Sequence, residues 1–233
     1  MHSVPKVAMI SGGNRGIGLA TARQLLAEGW YVSIGCRQTE ISDLSKGESV
    51  SVFYYNAQDP ESEKQWFSDT ISKFGRVDAL IINAGIMTPG TVIDATDDEY
   101  QQIVEINVTS PWRLSKLVWP ALKKSGNGKI VIMSSLSGKR VASAGSGLYS
   151  MSKFALTGLT HALRLTGAED RIRVTAICPS YVATDMAKSI TDLSPEKMTQ
   201  PESIATLILT VLKLPFEAGV AEIPVHWNVE PMY

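Results

Sequence analysis

"KVAMISGGNRGIGLATARQLL" occupies residues 6–26 and decides how the rest of the chain is read. An apolar run leads into a turn with four glycines, Gly12, Gly13, Gly16 and Gly18, and a helical pattern follows. Glycine loses the most chain entropy on ordering, so such crowding marks a place where the backbone must come close to something. A helix that starts at this turn points unpaired N–H groups and partial positive charge at it, which suits a pyrophosphate. The spacing is Gly12-x-x-x-Gly16-x-Gly18 rather than the common dinucleotide pattern. Tight helix–strand packing without a ligand is the alternative reading of the turn taken alone.

Working outward, short apolar runs alternate with helical patterns. Residues 6–11, 31–36, 49–55, 78–83, 129–135 and 172–179 read as strands, with a last short one at 221–225. Most are apolar throughout, as parallel strands covered on both faces should be. Residues 16–28, 60–74, 97–123, 150–167 and 201–214 read as helices. Pro60 suits a first helical turn with Asp59 as its cap, and Asp97 is read as opening the next helix in the same way. The connection from Arg37 to Val50 is short and polar, and the helix expected there is short or irregular. Residues 184–200 read as a loop or a pair of short helices. Repeated strand–helix alternation predicts right-handed crossovers: a single-domain α/β Rossmann fold over 1–233, with a doubly wound parallel sheet of about seven strands and helices on both faces.

The composition fits one ordinary α/β domain of 233 residues, 44% hydrophobic and 19% charged. A net charge of −1 predicts no nucleic-acid or acidic-membrane partner. Cys36 and Cys178 sit in apolar stretches, as reduced thiols do. His2, His161 and His226 lack ligand spacing, so no metal is expected. No apolar run reaches the roughly 18 residues of a membrane span, and no leader pattern precedes "KVAMI". A cytoplasmic location is the expectation.

In a doubly wound sheet the ligand lies outside the carboxyl ends of the strands, where strand order reverses, and the glycine turn falls there. An NAD site places an acid at the end of the second strand. Here that strand ends "SIGCRQ", with Arg37 at the position and no acid beside it. Arginine carries the forked donors that a ribose 2′-phosphate accepts, and Arg15 reaches from the other side. The two arginines predict NADP(H) over NAD(H).

At this point the chain resembles the short-chain dehydrogenase/reductase family, from about residue 6 to about 225. "SGGNRGIG" is similar to its cofactor turn, with Ser11 where Thr is usual; "INAG" (82–85), Asn107 in "EINVTSP", "IVIMSSLSG" (130–138), "YSMSK" (149–153) and "PSYVATDM" (179–186) follow in the family's order. The resemblance implies a catalytic set of Ser135, Tyr149, Lys153 and Asn107. It also implies cofactor contacts from Gly12, Asn14, Arg15, Gly16, Ile17, Gly18, Arg37, Asn56, Ala57, Asn83, Ala84, Gly85, Tyr149, Lys153, Pro179, Val182 and Thr184. Ser135 is chosen through the Ser-x-x-Gly pattern ending at Gly138, with Ser137 and Ser134 as fallbacks.

The residues support these roles physically. Tyr149 and Lys153, four apart, share one helix face. A free phenol titrates near 10, so a lysine ammonium and an oxidised nicotinamide are expected to draw it down. Bringing it from about 10 to about 7 requires roughly 4 kcal/mol of differential interaction. Tyr149 then passes a proton to the carbonyl oxygen, Ser135 steadies the charge developing there, and Lys153 holds the nicotinamide ribose. Asn107, by the resemblance, sits at a helix irregularity and keeps a water near Lys153.

Three departures from the family pattern stand out: one extra residue between Ser135 and Tyr149, Asn56 where Asp usually meets the adenine, and Pro179-Ser180 in place of Pro-Gly. The amide oxygen of Asn56 can still accept from the adenine amino group. The substrate is expected against Met87, Leu136, Val141, Tyr181 and Met186, with 184–200 as the substrate loop. Lys139 and Arg140 are either holders of an anionic substrate tail or a solvated basic loop. The resemblance implies a homodimer or homotetramer through helices 97–123 and 150–167, with the aromatic tail "VHWNVEPMY" packing on a neighbour or on its own sheet edge. The expected activity is NADP(H)-dependent reduction of a ketone or aldehyde, or the reverse. A same-fold epimerase or dehydratase and a non-catalytic NADP-binding sensor are the alternatives; a sensor would be expected to lack Tyr149 or Lys153.

Overall fold

Every residue of β1 (Val7–Ser11) is buried, because helices cover both faces of the sheet it centres. The structure, a computed structural model, describes residues 4–41, 44 and 47–229. β1 is joined by β2 (Tyr31–Cys36), β3 (Val50–Tyr54), β4 (Ala79–Ile82), β5 (Gly128–Met133), β6 (Ile172–Pro179) and β7 (Glu222–Val225). All neighbours pair in parallel, in the order β3-β2-β1-β4-β5-β6-β7. The chain runs outward from β1 to β3, then returns to lay β4 on the other side of β1. The reversal opens a crevice at the carboxyl ends of β1 and β4.

Side chains alternate between two cores. Ala8 and Ile10 of β1 face one side with α1 (Gly16–Ala27) and α7 (Pro201–Lys213), through Leu19, Leu25, Ile204 and Ile208. Met9 faces the other side with α2 (Pro60–Phe74), α4 (Ser110–Lys124) and α5 (Gly147–Thr166), through Trp66, Leu114, Val118 and Leu156. Trp66 is fully buried and its indole N–H donates to Ser33 Oγ at 2.9 Å. A Cβ on Gly35 would lie 2.7 Å from the Trp66 ring, so β2 carries glycine where this helix presses on it. Pro224 sits in edge strand β7, where a missing ladder donor is tolerated.

Several boundaries differ from the sequence-based expectation for local reasons. The helix expected over 97–123 is three pieces: α3 (Asp97–Val104), one π turn (Glu105–Thr109) and α4. Its cap is Thr96, not Asp97: Thr96 and Glu99 form a reciprocal capping box, and Asp97 is the first helical residue. Asp59 does cap α2, accepting from Glu61 N–H. α5 begins at Gly147, three residues earlier than expected, which places Tyr149 inside the helix. Between Arg37 and Val50 the described residues hold no helix; residues 42, 43, 45 and 46 of that connection lie outside them. Residues 184–200 contain α6 (Asp185–Lys188) and a 3-10 turn at Pro195–Lys197. Of the tail, residues 230–233 lie outside the described residues. No helix among the described residues is long and apolar enough to cross a membrane.

Candidate active site

The carboxyl ends of the central strands open into one cavity of about 1510 Å³. That exceeds the several hundred cubic ångströms of a drug-sized pocket and leaves room for a dinucleotide and a second molecule.

The glycine turn forms one wall. Gly12 (φ +67°) and Gly16 (φ +53°) adopt left-handed conformations that side-chain-bearing residues disfavour. Asn83 Nδ2 donates to the carbonyls of Ser11 (3.1 Å) and Gly12 (3.0 Å). Ser11 Oγ in turn accepts from the backbone N–H groups of Asn83 and Ala84. The ends of β1 and β4 are thereby laced together under the turn. Gly18 does not line the cavity: a Cβ there would fall 2.4 Å from the Gly12 carbonyl oxygen, so this glycine lets α1 pack onto the turn.

The N-terminus of α1 fits a phosphate. Its N-cap is Arg15, which has no acceptor to cap the helix, and its first turn contains no acid. Gly12, Asn14, Arg15, Gly16 and Ile17 all line the cavity, as does Arg37 at the end of β2. Anions are favoured at such a terminus. Arg15 makes an ion pair of 3.0 Å with Asp185, across the cavity mouth.

Asn56 and Ala57 line the same end. Asn56 Oδ1 already accepts from Gln58 N–H at 3.2 Å, leaving one lone pair of the oxygen for another donor. The Ala57 carbonyl accepts from Arg113 Nη2 at 2.8 Å. Arg113 also grips Glu63 through Nε (2.9 Å) and Nη2 (3.0 Å), and bonds Glu105 of the π turn. Ser110 Oγ donates to Glu63, and the Tyr55 hydroxyl bonds Ser110. Burial pushes the Tyr55 phenol far up, and its carboxylate partners hold Arg113 firmly charged.

At the other end stand Ser135, Tyr149 and Lys153, all on the cavity wall. Ser135 Oγ donates to the Pro179 carbonyl (3.2 Å) and accepts from Ser137 N–H (3.1 Å). Ser134, a fallback, turns its hydroxyl to the Lys153 carbonyl and Thr157. Lys153 Nζ donates to the Met133 carbonyl at 2.7 Å and lies 5.5 Å from the Tyr149 ring centroid. Burial pushes the Lys153 ammonium down to about 8. Burial likewise pushes the Tyr149 phenol up to about 12, with the Ser135 hydroxyl acting the other way. The protein groups alone hold the phenol high; the lowering expected from Lys153 together with an oxidised nicotinamide concerns the enzyme with its cofactor bound.

Asn107 lies behind this wall rather than on it. It is fully buried in the π turn; its Oδ1 accepts from Ile86 N–H, and its Nδ2 donates to the Ile86 carbonyl and Ser152 Oγ. A Cβ on Gly85 would come 3.3 Å from Asn107 Oδ1 and 3.7 Å from Lys153 Nζ, so the amide oxygen and the ammonium both lie close against this glycine.

Met87, Leu136, Tyr181, Met186, Pro179, Val182, Thr184, Asn83, Ala84 and Gly85 also line the cavity. Val141 does not: it is 59% exposed and points outside. Lys139 is not on the wall either, because it pairs with Glu222 of β7, whereas Arg140 is. Sequence reasoning passed over Asp185 and the Arg113–Glu63–Glu105 cluster. Glu63 lies in a polar helix that reads as solvated, and nothing local announces that it is buried.

Residues 6–194 match the family model described as short chain dehydrogenase. The chain belongs to that family of oxidoreductases, whose members use NAD(H) or NADP(H). It is 35% identical over 226 residues to agropine synthesis reductase of Rhizobium rhizogenes, covering 94% of this chain and 52% of that protein. This chain thus spans about half the length of that relative. It is 34% identical over 225 residues to oxidoreductase UcpA of Escherichia coli strain K12, covering 92% of this chain and 84% of that protein. Among solved structures it superimposes on an alcohol dehydrogenase of the archaeon Thermococcus sibiricus complexed with 5-hydroxy-NADP, with TM-score 0.84 and 28% identity over 94% of this chain and 95% of that one.

Proposed function

We propose that this chain is an NADP(H)-dependent oxidoreductase that reduces a ketone or aldehyde to an alcohol, or runs the reverse. The observation that carries this reading is the convergence of Ser135, Tyr149 and Lys153 on the wall of the same cavity that the uncapped N-terminus of α1 faces. The cofactor supplies or accepts the hydride. Gly12, Asn14, Gly16 and Ile17 hold its pyrophosphate, Arg15 and Arg37 its 2′-phosphate, and Asn56 and Ala57 flank its adenine. Pro179, Val182 and Thr184 flank the nicotinamide. Tyr149 gives the proton to the carbonyl oxygen, and Ser135, on the same cavity wall, steadies the same oxygen. Lys153 holds the ribose hydroxyls and returns a proton to Tyr149. The substrate lies against Met87, Leu136, Tyr181 and Met186, under the loop 184–200.

The 2′-phosphate reading is tested with NADPH and NADH. NADPH consumption, followed by absorbance against a panel of aldehydes and ketones, is expected with at least one of them. Arg37→Asp should weaken NADPH binding much more than NADH binding. Equal loss for both, or tight NADPH binding without turnover on any carbonyl, overturns the reading.

The pH dependence follows from Lys153. A group whose folded value is pushed down to about 8 is charged below that pH and neutral above it. If Lys153 acts as the ammonium, kcat/KM for reduction falls as pH rises through about 8. This profile reports the free enzyme. A profile flat from pH 7 to about 10 would remove the ammonium from the mechanism.

Exposed Trp112 on α4, and Met151 and Phe154 on α5, support association into a homodimer or homotetramer through these helices. The two buried free thiols, Cys36 and Cys178, support a reducing, cytoplasmic setting.

A further inference from the structure

Of the two arginines assigned to the 2′-phosphate, one is already engaged. Arg37 has no ion pair among the described residues, whereas Arg15 Nη1 stands 3.0 Å from Asp185 Oδ2. Both partners line the cavity, although they lie 170 residues apart in the chain. Arg15 is the extended N-cap of α1, and its side chain makes no capping hydrogen bond to that helix. Asp185 opens α6, directly after Thr184. The glycine turn touches that segment: a Cβ on Gly16 would lie 3.1 Å from the Thr184 methyl. The ion pair therefore spans two segments that are already in contact.

We propose that Asp185 is a specificity-determining residue, which competes with the ribose 2′-phosphate for Arg15 and so weakens NADP(H) binding without weakening NAD(H) binding. The proposal rests on the assignment of Arg15 to that phosphate. A guanidinium fork offers the same donors to a carboxylate and to a phosphate, so one acceptor gains what the other gives up. The side chains are 70% and 64% exposed, which makes the pair weak enough to exchange. A dinucleotide without the 2′-phosphate makes no demand on Arg15, and the competition does not reach it. Asp185 then narrows a preference that Arg15 and Arg37 create.

The test is a set of dissociation constants for NADPH and NADH with the wild type, Asp185→Asn, Arg15→Met and the double variant. Asp185→Asn should tighten NADPH about two- to five-fold, the range open to an exposed pair, and leave NADH unchanged. The gain should vanish in the Arg15→Met background and at about 1 M salt, where the screening length is about 3 Å. Asp185→Ser repeats the test without an amide that could bond Arg15 in turn. An equal change for both dinucleotides, a gain that persists without Arg15, unchanged NADPH binding, or weaker NADPH binding overturns the proposal. Failure of the underlying assignment looks different: Arg15→Met and Arg37→Asp would then leave the NADPH-to-NADH ratio where the wild type has it.

Discussion

Tyr149→Phe is expected to lower kcat by about 10²- to 10⁴-fold, the range of a positioned proton donor, while NADPH still binds. The ring keeps its volume and its place on α5, so the fold has no reason to change. What is lost is the hydroxyl that reaches the reacting oxygen. Steady-state NADPH oxidation and a fluorescence titration of the cofactor separate the two quantities. Unchanged turnover would remove Tyr149 from the chemistry. The surroundings of the phenol sharpen the expectation. Burial pushes it up to about 12, so the chain on its own favours the neutral phenol, the form that donates a proton during reduction. Oxidation needs the opposite form, and the extra positive charge of an oxidised nicotinamide is the group that favours it.

Arg113→Met is expected to destabilise the fold by about 3–5 kcal/mol, because it strands a carboxylate in the interior. Glu63 is 2% exposed and takes two bonds from Arg113 and one from Ser110. Against a total stability of about 5–15 kcal/mol, such a loss is visible in urea denaturation. Glu63→Gln added to Arg113→Met should restore part of it, since the amide is neutral. Lys64→Ala, which breaks an exposed pair with Glu61 on the same helix, should cost no more than about 1 kcal/mol. Equal effects at the two sites would show that Glu63 is not held as a buried anion. Because Arg113 also holds the Ala57 carbonyl, its loss should reach the cavity wall as well as the fold.

Much of the architecture was legible in the chain. Strands buried on both faces read as continuous apolar runs, and the limits of β2 and β6 fall where the sequence places them. Helix ends were legible where a cap or proline marks them, as at Asp59-Pro60. They were not legible at Ser110, where α4 continues directly from a π turn that no local residue type announces. Motif order was enough to bring Ser135, Tyr149 and Lys153 to one wall. It was not enough for Val141 or Lys139, because a short loop can turn either flank inward. That choice was made by the ion pair of Lys139 with Glu222, a residue of the distant edge strand.

Local chemistry determined the parts of this protein that depend on neighbours in the chain: strand and helix periods, the glycine turn, and the helix face that pairs Tyr149 with Lys153. Tertiary structure decided the parts that depend on distant partners. It placed Asn107 beside Gly85 and off the cavity wall, buried Glu63 beneath Arg113, and set Asp185 against Arg15. The physical reason is the same in each case. The state of a polar or charged group is set by what surrounds it, and for these groups the surroundings come from segments 22 to 170 residues away: Gly85 and Asn107 at the near end, Arg15 and Asp185 at the far end.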